Sequence, residues 1–214
     1  AKAADASGLD LAGRVVGKPR WAPAAGRIGG AMEFDGADTF INCGRAPALD
    51  FRDAMTVAAW IKVREFTKPW QAIVTKGDQT WRLQRDKEAG RVMFAANGLE
   101  RDGGDSKEPA RVVSKRNVDD GQWHHLAALY DGQRIALYVD GELEDSLPVS
   151  GTLAVDDQAV MIGCNSAAYA RRFNGWIDDV RLYGYALAED EIKALARGAT
   201  EHADRQARNP DPKP

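Results

Sequence analysis

"GQWHHLAALYDGQRIALYVDGE", Gly121 to Glu142, decides how this chain folds. Two runs rich in apolar and aromatic residues are separated by Asp131-Gly132, and the second ends in Asp140-Gly141. Asp-Gly supplies the positive φ angles of a tight hairpin turn, so the stretch reads as a pair of antiparallel strands. In a strand, successive side chains point to opposite faces. Trp123, His125, Ala127 and Leu129 therefore share one face, and His124, Leu126, Ala128 and Tyr130 the other. The adjacent histidines point apart and cannot jointly hold a metal ion, and the third, His202, lies in a polar tail. His124 and His125 read as structural residues.

Working outward, ten runs share this pattern, the two above included: "AMEFDG", "TFINCG", "AMTVAAWIKV", "QAIVTKGD", "TWRLQRD", "RVMFAANG", "HHLAALYDG", "RIALYVDGE", "AVMIGC" and "GWIDDVRLYG". Each is short and bounded by Gly, Asp, Asn or Pro, with further turn signals at Asp35-Gly36 and Asn97-Gly98. Strands at this spacing build an all-β, two-sheet antiparallel sandwich, not a βαβ fold. One segment reads as a short C-terminal helix: "LAEDEIKALARG" stripes Leu187, Ile192, Leu195 and Ala196, sets acids early and bases late, and offers Gly198 as a cap. Residues 1–198 form one domain on this reading. Residues 199–214, polar and proline-ended, are a tail or linker.

Composition narrows the function classes. A chain of 214 residues with 44% hydrophobic content can fill one sandwich, and no window is apolar enough for a membrane span. A formal charge of −3 gives no footprint for nucleic acid. "AKAADASGLDLAG" has no apolar signal-peptide core. The two cysteines, Cys43 and Cys164, lack zinc-site spacing. One disulfide and two small buried hydrophobes remain the alternatives.

The opening stretch also resembles the central hairpin of laminin-G-like domains of the concanavalin-A-like lectin/glucanase superfamily. "GRIGGAMEFDGADTFINCG", "MTVAAWIKV" and "FNGWIDDVRLYGYALAEDEI" resemble the family's early strand pair, a middle strand, and its closing strand and helix, in the expected order. The likeness spans about Asp5 to Ala196 and implies a jelly-roll sandwich. It lacks the leading Gly-Tyr-Trp-type strand that usually precedes "DASG". The resemblance implies a recognition module of a larger exported protein (secreted, periplasmic or cell-surface) that binds carbohydrate or a protein ligand. It also implies a structural calcium ion at the sandwich edge, for which Asp35, Asp38, Asp178 and Asp179 are the matching carboxylates. Turn caps and ion pairs are the alternative for the same residues.

Two rival functions remain. Glycoside hydrolases of the superfamily carry carboxylates spaced by two on one strand, and Glu142 and Glu144 come nearest, in what reads as a solvated hairpin arm. An interaction domain without a small ligand would instead show an exposed apolar patch. For a sugar platform, Trp60 and Trp123 read as core, and Trp21 and Trp176 match positions usually buried. Trp70 and Trp81, in polar surroundings, are the candidates for stacking. Tyr169, Arg171 and Arg172, on the long loop "NSAAYARRFNG", are candidate ligand contacts.

Overall fold

The computed structural model describes residues 1–101 and 108–199. His202 and the tail beyond Ala199 lie outside the described residues. Seventeen strands are present: β1 (Lys2–Ala3), β2 (Gly13–Val16), β3 (Arg20–Ala22), β4 (Ala31–Asp35), β5 (Phe40–Gly44), β6 (Met55–Val63), β7 (Ala72–Thr75), β8 (Trp81–Arg85), β9 (Val92–Ala96), β10 (Leu99–Glu100), β11 (Ala110–Val113), β12 (Trp123–Tyr130), β13 (Arg134–Val139), β14 (Glu142–Pro148), β15 (Ser150–Gly151), β16 (Val160–Ile162) and β17 (Asn174–Tyr183). All ten runs picked out above are strands. The others are mostly pieces of two to four residues, too short to show a period.

Two antiparallel sheets carry the fold. One has eight strands in the order β1-β2-β5-β16-β7-β8-β9-β11, and the other seven in the order β14-β13-β12-β6-β17-β4-β3. The founding hairpin pairs Leu126 with Val139 and Tyr130 with Ile135. Its second turn puts both Asp140 (φ 54) and Gly141 (φ 82) in the left-handed region, as a two-residue hairpin requires. Between the sheets, Leu126, Ala128 and Tyr130 of β12 meet Leu83, Phe94 and Val112 of the opposite sheet in one apolar core. Burying such side chains contributes about 1.5–3 kcal/mol each.

The one α-helix among the described residues, α1 (Glu189–Ala196), packs Ile192 and Leu195, together with the preceding Leu187, on Ala127, Leu129, Ala136 and Tyr138, on the outer face of the seven-stranded sheet. It is shorter than the segment 187–198 read from sequence. Leu187 lies before it, with its amide donating to Thr56 Oγ1. Gly198 does close it, at φ 89.

The closing strand departs from simple alternation. Asp179 has φ 47 and the β17–β6 register shifts between Asp178 and Arg181, the mark of a bulge. The extra residue returns Val180 and Leu182 to the core side beside Ile177, whereas strict alternation would put Val180 on the same side as Asp178. The cysteines are both free. Cys43 packs against the inter-sheet core, while Cys164 joins Phe40 and Met161 in a separate cluster. Burial raises both thiols, Cys43 to about 11.

At one edge the sandwich is open. Ala1–Ala4, Trp21, Met32, Phe34, Ile41 and Ile177 line a slot of about 680 Å³ between the sheets.

Candidate functional site

The alternation of β8 builds the main candidate site. Trp81 and Leu83 enter the core, so Arg82 and Gln84 must point out of the eight-stranded sheet. Register extends two rows across that outer face. Arg82 lies beside Ala95, and Ala95 beside Arg111; Gln84 lies beside Met93, and Met93 beside Val113. Arg82 and Arg111 thus stand two strand spacings apart, roughly 10 Å, with a small residue between them. The depression is a groove of about 670 Å³, walled by Trp70, Asp78, Gln79 and Arg171 and by Asn97, Arg101, Glu108 and Pro109.

Its walls are pinned. Trp70 sits at φ 59, an uncommon backbone state for a bulky residue, and its amide donates to the carbonyl of Lys87 at 3.1 Å. Arg85 ties the same loops together, donating to the carbonyls of Lys68, Glu88 and Ala89. Gln71 accepts from the Lys68 amide and donates to the Arg172 carbonyl, which joins the Trp70 loop to the loop before β17. On the far wall Asp78 accepts from Arg171 at 2.7 Å and from Asn165 at 2.9 Å. Arg82 donates to the Asp78 carbonyl and to Asn97 Oδ1. Burial pulls the Arg82 guanidinium below its ordinary pKa, against the pull of Asp78. In the floor, Gln84 is 1% exposed. Its Oε1 has no partner among the described residues, and its Nε2 meets only the Met93 sulfur at 4.0 Å.

Of the five ligand contacts expected from sequence, Trp70 and Arg171 line this groove. Trp81 does not: at 1% exposure it is a core residue, its ring against Phe51. Its polar neighbours mark the other side of the strand. Tyr169 is half exposed but packs edge-on against Phe40. Arg172 lies over both rings and donates to the Ala37 carbonyl and to Cys164 Sγ, so it fastens the loop to the sheet. Arg82, Gln84 and Arg111 were missed. For the first two the signal was "WRLQR" itself, once Trp81 is put inside.

The four carboxylates expected around calcium are not gathered. Asp35 lies opposite Asn174, four residues along the ladder from Asp178, roughly 13 Å away. Its Oδ1 caps the turn, accepting from the amides of Ala37, Asp38 and Thr39. Burial opposes these bonds, yet they hold its carboxyl below the usual range. The exposed Asp38 contributes its amide to that cap. Asp178 Oδ2 accepts from the amides of Arg27 and Ile28, and burial raises its pKa. Asp179 takes Arg181 on both oxygens at 2.9 Å. The described residues hold no group of three or more His, Cys, Asp and Glu arranged for a metal.

The histidines do face apart. His124 bonds Asp140 at 2.8 Å and Asp120 at 3.1 Å, and its pKa is raised chiefly by Asp140. His125 is buried with its ring 5.2 Å from that of Trp60, and burial lowers it to about 4. Glu144, half of the closest carboxylate pair, is buried and accepts from the amides of Lys115 and Arg116 and from Arg116 Nε, whereas Glu142 is exposed.

Known proteins share this architecture. The binding domain of Paraclostridial Mosquitocidal Protein 1 superposes with a TM-score of 0.69 at 17% identity, over 90% of this chain and 48% of that one. Domain 4 of AbnA, a GH43 extracellular arabinanase from Geobacillus stearothermophilus whose structure is in complex with arabinotriose, superposes at 0.64 and 22% identity, over 84% and 82%. The binding domain of Botulinum Neurotoxin DC in complex with SialylT superposes at 0.67 and 14%, over 90% and 48%. Among curated proteins, the Rattus norvegicus Sushi, von Willebrand factor type A, EGF and pentraxin domain-containing protein 1 is 29% identical over 106 residues. The match takes in 44% of this chain and spans 3% of that relative's length. No helix among the described residues is long and apolar enough to cross a membrane. The profile of Laminin_G_3, in the Concanavalin A-like lectin/glucanases superfamily, matches residues 35–193, and the chain belongs to that family.

Proposed function

We propose that this chain is a non-catalytic recognition module of a larger exported protein and that it binds a carbohydrate in the groove on its eight-stranded sheet. The observation that carries the reading is the pairing of the pinned, half-buried Trp70 with planar polar side chains on an otherwise open sheet face. Aromatic faces take the apolar side of a pyranose, and amide and guanidinium groups orient its hydroxyls. The non-catalytic part draws support from Asp78, whose carboxylate is held by Arg171 and Asn165, and from the burial of Glu144 in backbone bonds. Neither is placed as one of two free acids flanking a scissile bond. The solved AbnA domain, described with arabinotriose, lends support by fold.

The test is a glycan panel read by calorimetry, with Trp70→Ala beside the wild type. A tenfold or greater loss of affinity is expected, on the order of the 1.4 kcal/mol that one ring face supplies. Unchanged binding in a folded variant would overturn the placement. A protein ligand is the second reading, favoured by the apolar edge slot and by Trp21, 58% exposed at its rim. Trp21→Ser would weaken such a partner and leave sugar binding intact.

A further inference from the structure

The described lining of the groove is more basic than the chain that carries it. The protein is formally −3, yet among the described residues the groove lining holds four arginines (82, 101, 111 and 171) against two carboxylates, Asp78 and Glu108. The arginines are not equivalent. Arg82 and Arg171 spend their guanidinium groups on Asp78 and Asn97. Arg111 projects from β11, is exposed, and makes no hydrogen bond or ion pair among the described residues. The small Ala95 leaves the space between it and Arg82 open. One strand over, Gln84 keeps its Oε1 buried and unpaired. A ligand hydroxyl donating to that oxygen would make the bond the chain leaves unmade.

We propose that the groove selects saccharides bearing an oxyanion, a carboxylate or a sulfate ester, with Arg111 as the anion anchor and Gln84 accepting from a neighbouring sugar hydroxyl. This deepens the carbohydrate reading above and depends on it. An exposed cation with a flexible stem and no partner among the described residues gains more from a charged substituent than from a neutral hydroxyl. Arg forms paired, charge-assisted bonds to carboxylate and sulfate oxygens. Trp70, at the other end of the groove, is left for the apolar ring face.

Matched polymers test it by calorimetry at two salt concentrations: polygalacturonate against its fully methyl-esterified form, and dextran sulfate against dextran. The expected result is tighter binding of at least one charged member than of its neutral partner, and the winning pair tells carboxylate from sulfate. Arg111→Gln should weaken that charged member about tenfold or more, a loss typical of one charge-assisted bond. The neutral member should lose clearly less than the charged one, and Arg111→Lys should restore part of the charged member's loss. Equal affinity within both pairs, or an Arg111→Gln variant that binds like wild type, overturns the anion selection and leaves the carbohydrate reading standing. Failure of all four polymers to bind overturns both. Equal binding of poly-glutamate would also overturn the proposal, by reducing it to bare charge attraction.

Discussion

The two sheets present their outer faces differently. On the seven-stranded sheet that face is small and apolar, with Ala58, Ala127 and Ala136, and α1 lies on it. Beyond the helix, Arg27 covers Trp60, its guanidinium 4.7 Å from the ring centre, and the Trp60 ring lies against His125. On the eight-stranded sheet the loop before β17 covers only the part with Phe40, Met161 and Cys164. The remainder, bearing Arg82, Gln84 and Arg111, is left to the groove. Both sheets obey the same alternation. The outward residues decide which face is closed by the chain and which is kept for a ligand.

The comparison breaks most visibly at Trp60. If its face is a second core, Trp60→Ala should cost about 3–5 kcal/mol of stability, read as the shift of a urea transition. The folded fraction should bind glycans as before. A loss below about 1 kcal/mol would mean that the cover is loose.

Acid should find the same face through His125. Burial depresses its folded pKa to about 4 from an ordinary 6.5, so the unfolded chain takes up the proton first. Its contribution is present above about pH 6.5 and drains away as pH falls to about 4, a total on the order of 3 kcal/mol. His125→Phe should flatten that part of the stability profile. His124 has the opposite sign: its raised pKa favours the folded state at lower pH, and that gain is lost as pH rises through the raised value. A profile unchanged by His125→Phe would show that the imidazole is already solvated.

The smallest stability effect belongs to the groove. Gln84→Met removes an unpaired buried oxygen at similar volume, so stability should hold or rise by up to about 1 kcal/mol. Glycan affinity should fall. A destabilised Gln84→Met would place this residue with the structural faces instead.

The sandwich was legible because ten strands advertise themselves by period and turn residues. The groove was legible only in part. Trp81 looked exposed because Arg82 and Gln84 flank it, yet adjacent strand residues report on opposite sides. Arg111 sits in a four-residue strand, too short for a period. The separation of the carboxylates was hidden for another reason. A bulge at Asp179 leaves no compositional trace, and how far apart Asp35 and Asp178 lie depends on a register that only pairing fixes.

The open edge of the sandwich has a mechanical consequence. Ala1 lines the slot together with Asp179 and Val180, and the carbonyl of Ala199, at the other end of the described chain, accepts from Arg181. The two ends therefore meet on one side, by β1 and β17, while the groove lies toward β11 at the far edge of its sheet. A pull applied there would first peel the two-residue β1 from β2, held by the Lys2–Arg14 and Ala3–Gly13 pairs and by the Val15 amide on the Ala1 carbonyl. The inner strands would take up load only afterwards. A load at that edge would reach the groove, toward β11, only through the strands between them.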